Sequence, residues 1–102
     1  MQKNIEKYHV GGVILFSRNI ANRKQTLKMT EGFQNTGRIP LFICVDEEGG
    51  SVARIGSNAK METTSFPTAE EIGKTKDDTY TYQMGKTIGS EIKELGFNVD
   101  FE

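Results

Sequence analysis

Three consecutive acidic residues, Asp46, Glu47 and Glu48, follow a short apolar run and precede Gly49 and Gly50. Ionised carboxylates accept strong hydrogen bonds from vicinal hydroxyl groups, and two of them about 5 to 5.5 Å apart can cleave a glycosidic bond with retention. Asp46 and Glu48 share a face only if the strand continues regularly, whereas the two glycines predict a bend. The pattern therefore favours binding of sugar hydroxyls over a complete pair of catalytic acids.

Other chemistries fit these residues less well. A phosphate cradle at Gly49 and Gly50 would place the anion beside three acids, which would repel it. Cys44, the single cysteine, excludes an internal disulfide, and its place inside an apolar run predicts a buried, inert thiol. His9, the single histidine, is interpreted as a surface residue before a glycine turn rather than a base. No metal cluster and no cofactor are predicted.

Arginines are the candidate partners of these acids. Arg54 lies eight residues beyond Asp46, and is either a surface charge or a tether that folds the loop back onto Asp46 or Glu48. Arg18 follows another apolar run, Val13-Ile14-Leu15-Phe16. Because carboxyl ends of parallel strands meet at one edge of a sheet, the polar residues after three predicted strands are expected to converge. They are Arg18 and Asn19, then Asp46 to Glu48, then Asp100 and Glu102.

The elements that would position these side chains alternate between helix and strand. Apolar runs and glycine or proline stops predict strands at about 13–16, 41–46 and 97–101, the first of them buried on both faces. Helices are predicted over 2–9, 22–36, a short segment from 68 to 73, and 77–95, whereas 47–67 shows no convincing periodicity. This order predicts an α/β fold with a parallel sheet.

Strand alternation assigns the side chains of the second strand to two faces. Phe42, Cys44 and Asp46 are predicted to point one way, opposite to Leu41, Ile43 and Val45. Asp46 would then lie at the carboxyl tip of this strand.

Composition limits the possible partners. With 102 residues the chain is at most one domain, and its net charge of −1 predicts no attraction to nucleic acid. No apolar run approaches the roughly 20 residues that span a bilayer, and so no membrane association is predicted.

Four segments together resemble a known family. They are Gly11 to Asn19, Pro40 to Arg54 with the pattern D-E-E-G-G-x-V-x-R, Phe66-Pro67, and Leu95 to Phe101. In order and spacing they resemble the N-terminal domain of glycoside hydrolase family 3, and within it the bacterial β-N-acetylhexosaminidases of the cell-wall recycling type. The sequence departs from many members at Ser51, where they have arginine.

The resemblance implies a (β/α)8 TIM barrel, in which the three predicted strands would be the second, third and fourth. It implies a retaining hydrolase of terminal N-acetyl-β-D-glucosaminides, in which Asp46 binds hydroxyls of the non-reducing-end sugar. Arg54 and Arg18 are further candidate substrate-binding residues. The nucleophilic aspartate and the acid/base histidine of the family belong to loops beyond position 102, and therefore no catalytic residue is expected within this chain.

Residues 1–102 would then be a single partial domain of the family 3 barrel. Three strands of eight cannot close a barrel, and the exposed sheet edges and apolar inner face predict self-association into a homo-oligomer. A carbohydrate containing N-acetylglucosamine is the expected partner of the intact enzyme. The alternative is a non-catalytic small α/β module that binds sugar or mediates assembly.

Overall fold

The computed structural model describes residues 1–101, so Glu102, which was predicted to join the site, lies outside the described residues. Helices and strands alternate for most of the chain. In chain order the elements are α1 (Gln2–Tyr8), β1 (Gly12–Leu15), α2 (Arg23–Gln34), β2 (Phe42–Val45), β3 (Glu47–Gly49), β4 (Val52–Ala53), α3 (Ala69–Lys74), α4 (Asp78–Glu94) and β5 (Val99–Asp100). Two short 3₁₀ turns, Ser17–Asn19 and Ala59–Met61, follow β1 and β4.

The main sheet is parallel, with strand order β1-β2-β5. Leu15 pairs with Val45, which in turn pairs with Asp100, so the carboxyl ends of all three strands meet at one edge. The predicted α/β class and parallel arrangement are confirmed.

The third strand is shorter than the predicted 97–101, because two of its residues serve other contacts. Phe97 is 2% exposed and belongs to the core. The Asn98 side chain takes the place of a strand backbone beside β2. Its Nδ2 donates to the Leu41 carbonyl at 2.9 Å, and its Oδ1 accepts from Ile43 N–H at 2.8 Å.

Residues 47–67, where no periodicity was found, contain a small antiparallel hairpin. Strands β3 and β4 pair Glu47 with Ala53 and Gly49 with Val52, with a register irregularity between the two pairs. The turn uses Gly49 and Gly50 with φ of 87° and 58°, a region that side-chain-bearing residues rarely adopt. The two glycines thus make the predicted bend.

Helix ends follow the predicted signals closely. Asn22 caps α2 by accepting from Gln25 N–H, and Thr68 and Glu71 form the predicted capping box of α3. That helix runs one residue past Gly73, to Lys74. Gly96, with φ of 92°, follows the end of α4.

The core lies on one side of the sheet, between it and the helices. Helix α4 buries Met84, Ile88 and Ile92, which recur every fourth residue and form one apolar stripe. In α2 the buried positions are Thr26, Thr30 and Phe33, whereas Leu27 is 38% exposed. Thr26 takes the core-facing position because its hydroxyl is satisfied locally by the Asn22 carbonyl, at 2.9 Å.

The opposite side of the sheet carries apolar side chains that contact solvent. Ile14, Phe42 and Phe101 are 40%, 65% and 50% exposed, and the strand register places Cys44 and Val99 beside them. We call these five residues the open face. The predicted alternation of β2 is confirmed, since Leu41, Ile43 and Val45 are buried. Burial of the first strand on both faces was wrong, because these 101 residues place helices on one side only.

Candidate functional site

The carboxyl ends of the three parallel strands bring their polar residues together, as predicted. Asp46 follows β2 directly. Asp100, at the end of β5, accepts a hydrogen bond from Glu47 N–H at 2.8 Å, and Phe101 N–H donates to the Val45 carbonyl at 3.0 Å. After β1, Asn19 accepts from Phe16 N–H at 2.9 Å and turns the chain at the same edge.

Asp46 and Arg54 form the central ion pair of this edge. Arg54 Nη2 lies 3.2 Å from Asp46 Oδ2, and the two side chains are 26% and 20% exposed. The backbone reinforces the pairing, since Arg54 N–H donates to the Asp46 carbonyl at 3.3 Å. Of the two interpretations of Arg54, the structure therefore shows the tether.

An aromatic ring holds both candidate arginines. The guanidinium carbons of Arg18 and Arg54 lie 5.1 Å and 5.8 Å from the centroid of the Phe16 ring, within the range of cation–π attraction. Arg54 Nε is buried and has no hydrogen-bond partner among residues 1–101. The fold thus places Arg18, Arg54 and Asp46 around one strand end, with Arg18 the most exposed of the three.

Glu48 leaves this group. It is exposed and lines a cleft of about 310 Å³ that α3 and α4 form, and Asp46 does not line that cleft. The hairpin that starts at Glu47 separates the two acids, as the glycine bend predicted. Asp46 and Glu48 consequently do not form a pair of carboxylates in one pocket.

Glu47 was expected among the polar residues of this edge, but its burial was not predicted from the sequence. It is 4% exposed, and its Oε1 and Oε2 accept from Ile55 N–H at 2.9 Å and Gly56 N–H at 2.7 Å. Burial raises the pKa of its carboxyl above the ordinary value of 4.5; the backbone N–H groups of residues 54–56 lower it, and repulsion from Glu91 raises it further. Nothing in a run of three acids shows which one is buried.

The two other reactive residue types lie outside this chemistry. His9 is exposed and ends α1 in a left-handed conformation, φ 53°. Cys44 is half-buried on the open face, and burial raises the pKa of its thiol, which favours the protonated form.

Within residues 1–101 no group of three or more His, Cys, Asp or Glu side chains is arranged to hold a metal ion. No helix of this part of the chain is long and apolar enough to cross a membrane.

These features define a class of protein: an α/β protein with a parallel sheet and an acid–arginine pair at the carboxyl ends of its strands. The family comparison is more specific. The profile of the glycosyl hydrolase family 3 N terminal domain matches residues 1–102, and the chain belongs to this family. The resemblance stated from the sequence is confirmed.

Two curated relatives illustrate the similarity. The chain is 38% identical over 105 residues to beta-hexosaminidase A of Pseudoalteromonas piscicida, an alignment that covers 95% of this chain and 17% of the relative. It is 34% identical over 98 residues to a beta-hexosaminidase of Bordetella pertussis, with 90% and 27% covered. The chain thus spans about a sixth to a quarter of the length of these enzymes.

Among solved structures, a family 3 beta-N-acetylglucosaminidase from Paenibacillus sp. str. FPU-7 matches with a TM-score of 0.89 and 34% identity. The match covers 99% of this chain and 19% of that structure. Family 3 domains of this kind are TIM-barrel-like, which confirms the predicted fold class.

Proposed function

We propose that this chain is a substrate-binding part of a family 3 β-N-acetylhexosaminidase, which hydrolyses terminal N-acetyl-β-D-glucosaminides with retention. The observation that carries the proposal is the Asp46–Arg54 pair at the carboxyl edge of a family 3 sheet. Similarity to enzymes named beta-hexosaminidase supports the substrate class. The chain spans 17% and 27% of those two enzymes, which supports residues 1–102 being a partial domain.

Asp46 has the properties that binding of sugar hydroxyls requires. Arg54 contacts one carboxylate oxygen, Oδ2, while the Asp46 side chain remains 20% exposed and accessible to a ligand. An ionised carboxylate can accept two hydrogen bonds from vicinal hydroxyls of one sugar ring. In this proposal Arg54 orients the acid, and Arg18 lies at the rim where a further part of the substrate would pass.

Bond cleavage is assigned to groups outside these residues. A retaining hydrolase needs two carboxyl groups about 5 to 5.5 Å apart or an equivalent acid/base pair, and Glu48 lines a different cleft from Asp46. We therefore expect the 102-residue chain alone to show no turnover of an aryl N-acetyl-β-glucosaminide. Turnover that Asp46→Ala abolishes would contradict this assignment.

The test of substrate binding uses the full-length enzyme that contains these residues. Asp46→Ala should raise KM and lower kcat, because a charge-assisted contact of about 1.5 to 3 kcal/mol is lost. Glu48→Ala is the matched control, because it removes a neighbouring acid that points into another cleft, and its kinetics should stay close to wild type. Unchanged kinetics in Asp46→Ala would exclude Asp46 from the site.

Self-association of the isolated chain is part of the same proposal. The open face exposes three large apolar side chains, and β1 and β5 are both edge strands of the sheet. Exposed edges and apolar faces favour pairing with another copy.

A further inference from the structure

Glu47 has no role in the sugar chemistry proposed above, yet it is the most deeply buried acid near the site. Its neighbours in sequence, Asp46 and Glu48, are half-buried and exposed. Burial of a carboxylate costs folding free energy unless its oxygens accept hydrogen bonds. The donors that Glu47 contacts therefore indicate which part of the structure it stabilises.

The partners of Glu47 lie in β5 and in the segment just beyond β4. Its own N–H donates to Asp100 at 2.8 Å, which joins the start of β3 to the end of β5. Its side chain reaches across the hairpin to the N–H groups of Ile55 and Gly56, at 2.9 and 2.7 Å. These two donors directly follow Arg54 in the chain.

The fit around this carboxylate is close. A Cβ placed on Gly56 would lie 3.0 Å from Glu47 Oε2 and 3.0 Å from the Thr64 carbonyl, closer than ordinary contacts. The backbone therefore approaches Glu47 at a position where a larger residue would push it away.

The hairpin needs such a link. Strands of three and two residues are too short to be stable alone, and the direct backbone bond from Arg54 N–H to the Asp46 carbonyl is 3.3 Å long. The two hydrogen bonds that the Glu47 carboxyl accepts, at 2.9 and 2.7 Å, are both shorter than this contact.

We infer that Glu47 is a positioning residue for the Asp46–Arg54 pair: by binding the backbone just beyond Arg54, it holds the guanidinium against Asp46. This inference rests on the proposed function for the role of the pair in sugar binding. The position of the pair itself depends only on contacts within the chain.

The experiment uses nuclear magnetic resonance on the full 102-residue chain. Glu47→Ala should accelerate exchange of the Ile55 and Gly56 amide protons and of the Arg54 guanidinium protons, each about tenfold or more. Glu47→Gln keeps one acceptor oxygen at the same length and should restore part of the protection. Glu48→Ala and Glu48→Gln are the matched controls and should match wild type.

If Glu47 only stabilised the loop, Glu47→Ala would accelerate exchange of the two amide protons and leave the exchange of the Arg54 guanidinium protons unchanged. That result would overturn the inference. Unchanged exchange at all three positions would overturn it too. If Glu47→Ala does not fold, the inference is tested instead by a pH titration of wild type and Glu47→Gln, followed by nuclear magnetic resonance. The Ile55 and Gly56 amide signals must follow the ionisation of Glu47 in wild type and lose this response in Glu47→Gln, and their failure to do so contradicts the inference.

Kinetics of the full-length enzyme separate this inference from the proposed function. If Glu47→Ala loses the exchange protection of Arg54 and also has a raised KM, both the positioning role of Glu47 and sugar binding by the Asp46–Arg54 pair are supported. Loss of Arg54 protection with unchanged KM would retain the positioning role and reject sugar binding by the pair.

Discussion

At the scale of single residues, Arg54 is expected to affect stability through its charge and substrate binding through the shape of its guanidinium group. Its ion pair with Asp46 is partly exposed, so removing it should cost about 1 kcal/mol of unfolding free energy or less. We expect Arg54→Ala to raise KM of the full-length enzyme about tenfold, because Asp46 loses the group that orients it. Arg54→Lys should recover most of the stability and little of the KM, since an ammonium lacks the planar fork of donors.

Urea unfolding and steady-state kinetics on the same proteins check this expectation. Arg18→Ala is the matched control for stability, because Arg18 contacts the same Phe16 ring from an exposed position. Full recovery of KM by lysine would show that charge alone matters at position 54.

Glu47 gives the chain a pH dependence of known sign. Burial raises the pKa of its carboxyl above 4.5, so the folded chain holds the proton more tightly than the unfolded chain does. The contribution to stability is complete below the ordinary pKa and is lost as the pH rises through the folded-state pKa. Urea unfolding should be measured as the pH rises from below the ordinary pKa to above the folded-state pKa. The unfolding free energy should fall less in Glu47→Gln than in wild type, and in Glu48→Gln it should fall as it does in wild type. If the unfolding free energies of wild type and Glu47→Gln change equally with pH, the expectation is contradicted.

At the scale of elements, the junction between α4 and β5 depends on one glycine. Gly96 has φ of 92°, and a Cβ at this position would clash with Thr30 Oγ1, which donates to the Leu95 carbonyl at 2.8 Å. We expect Gly96→Ala to lower the unfolding free energy by about 2 kcal/mol or more, since both backbone strain and a steric clash oppose it.

Gly89 provides the control within the adjacent helix. A Cβ there would meet nothing within 4 Å, and alanine favours helix over glycine by about 0.5 to 1 kcal/mol, so Gly89→Ala should stabilise the chain. Thermal unfolding of both variants measures the two signs. A neutral Gly96→Ala would show that the junction relaxes without cost.

The sequence predicted the elements that carry an apolar pattern and missed the two strands of the hairpin, for a physical reason. β1, β2 and α4 carry apolar runs or stripes that the core requires, and glycines or a proline mark their ends. β3 and β4 are three and two residues long, too short for any periodicity, and their pairing depends on contacts that Glu47 makes eight and nine residues away. The predicted site residues met at one edge because parallel strand ends must, whereas the choice between tether and surface charge for Arg54 needed the three-dimensional structure.

At the scale of the whole molecule, the chain is a slab with its core on one side. Its radius of gyration is 14.6 Å, against about 13 Å for a compact domain of this length. Phe42, 65% exposed on the open face, is the most exposed of its large apolar residues. We expect Phe42→Lys to convert self-associated chain to monomer, because a charge on this face opposes its burial against a second copy.

Sedimentation velocity at micromolar concentration measures the effect. Ile39→Lys is the matched control, since Ile39 is 82% exposed but lies outside the open face, and this variant should associate as wild type does. A monomeric wild type would remove the basis of the expectation.

The side chain of Asn98 adds a consequence for the order of events during synthesis. It completes the backbone hydrogen bonding of β2 from a position 55 and 57 residues further along the chain. While the ribosome is still adding the residues of α4, β2 can pair with β1 but has on its other side neither the Asn98 amide nor strand β5. The backbone groups on that edge of β2 therefore stay without their native partners until residue 98 has left the exit tunnel.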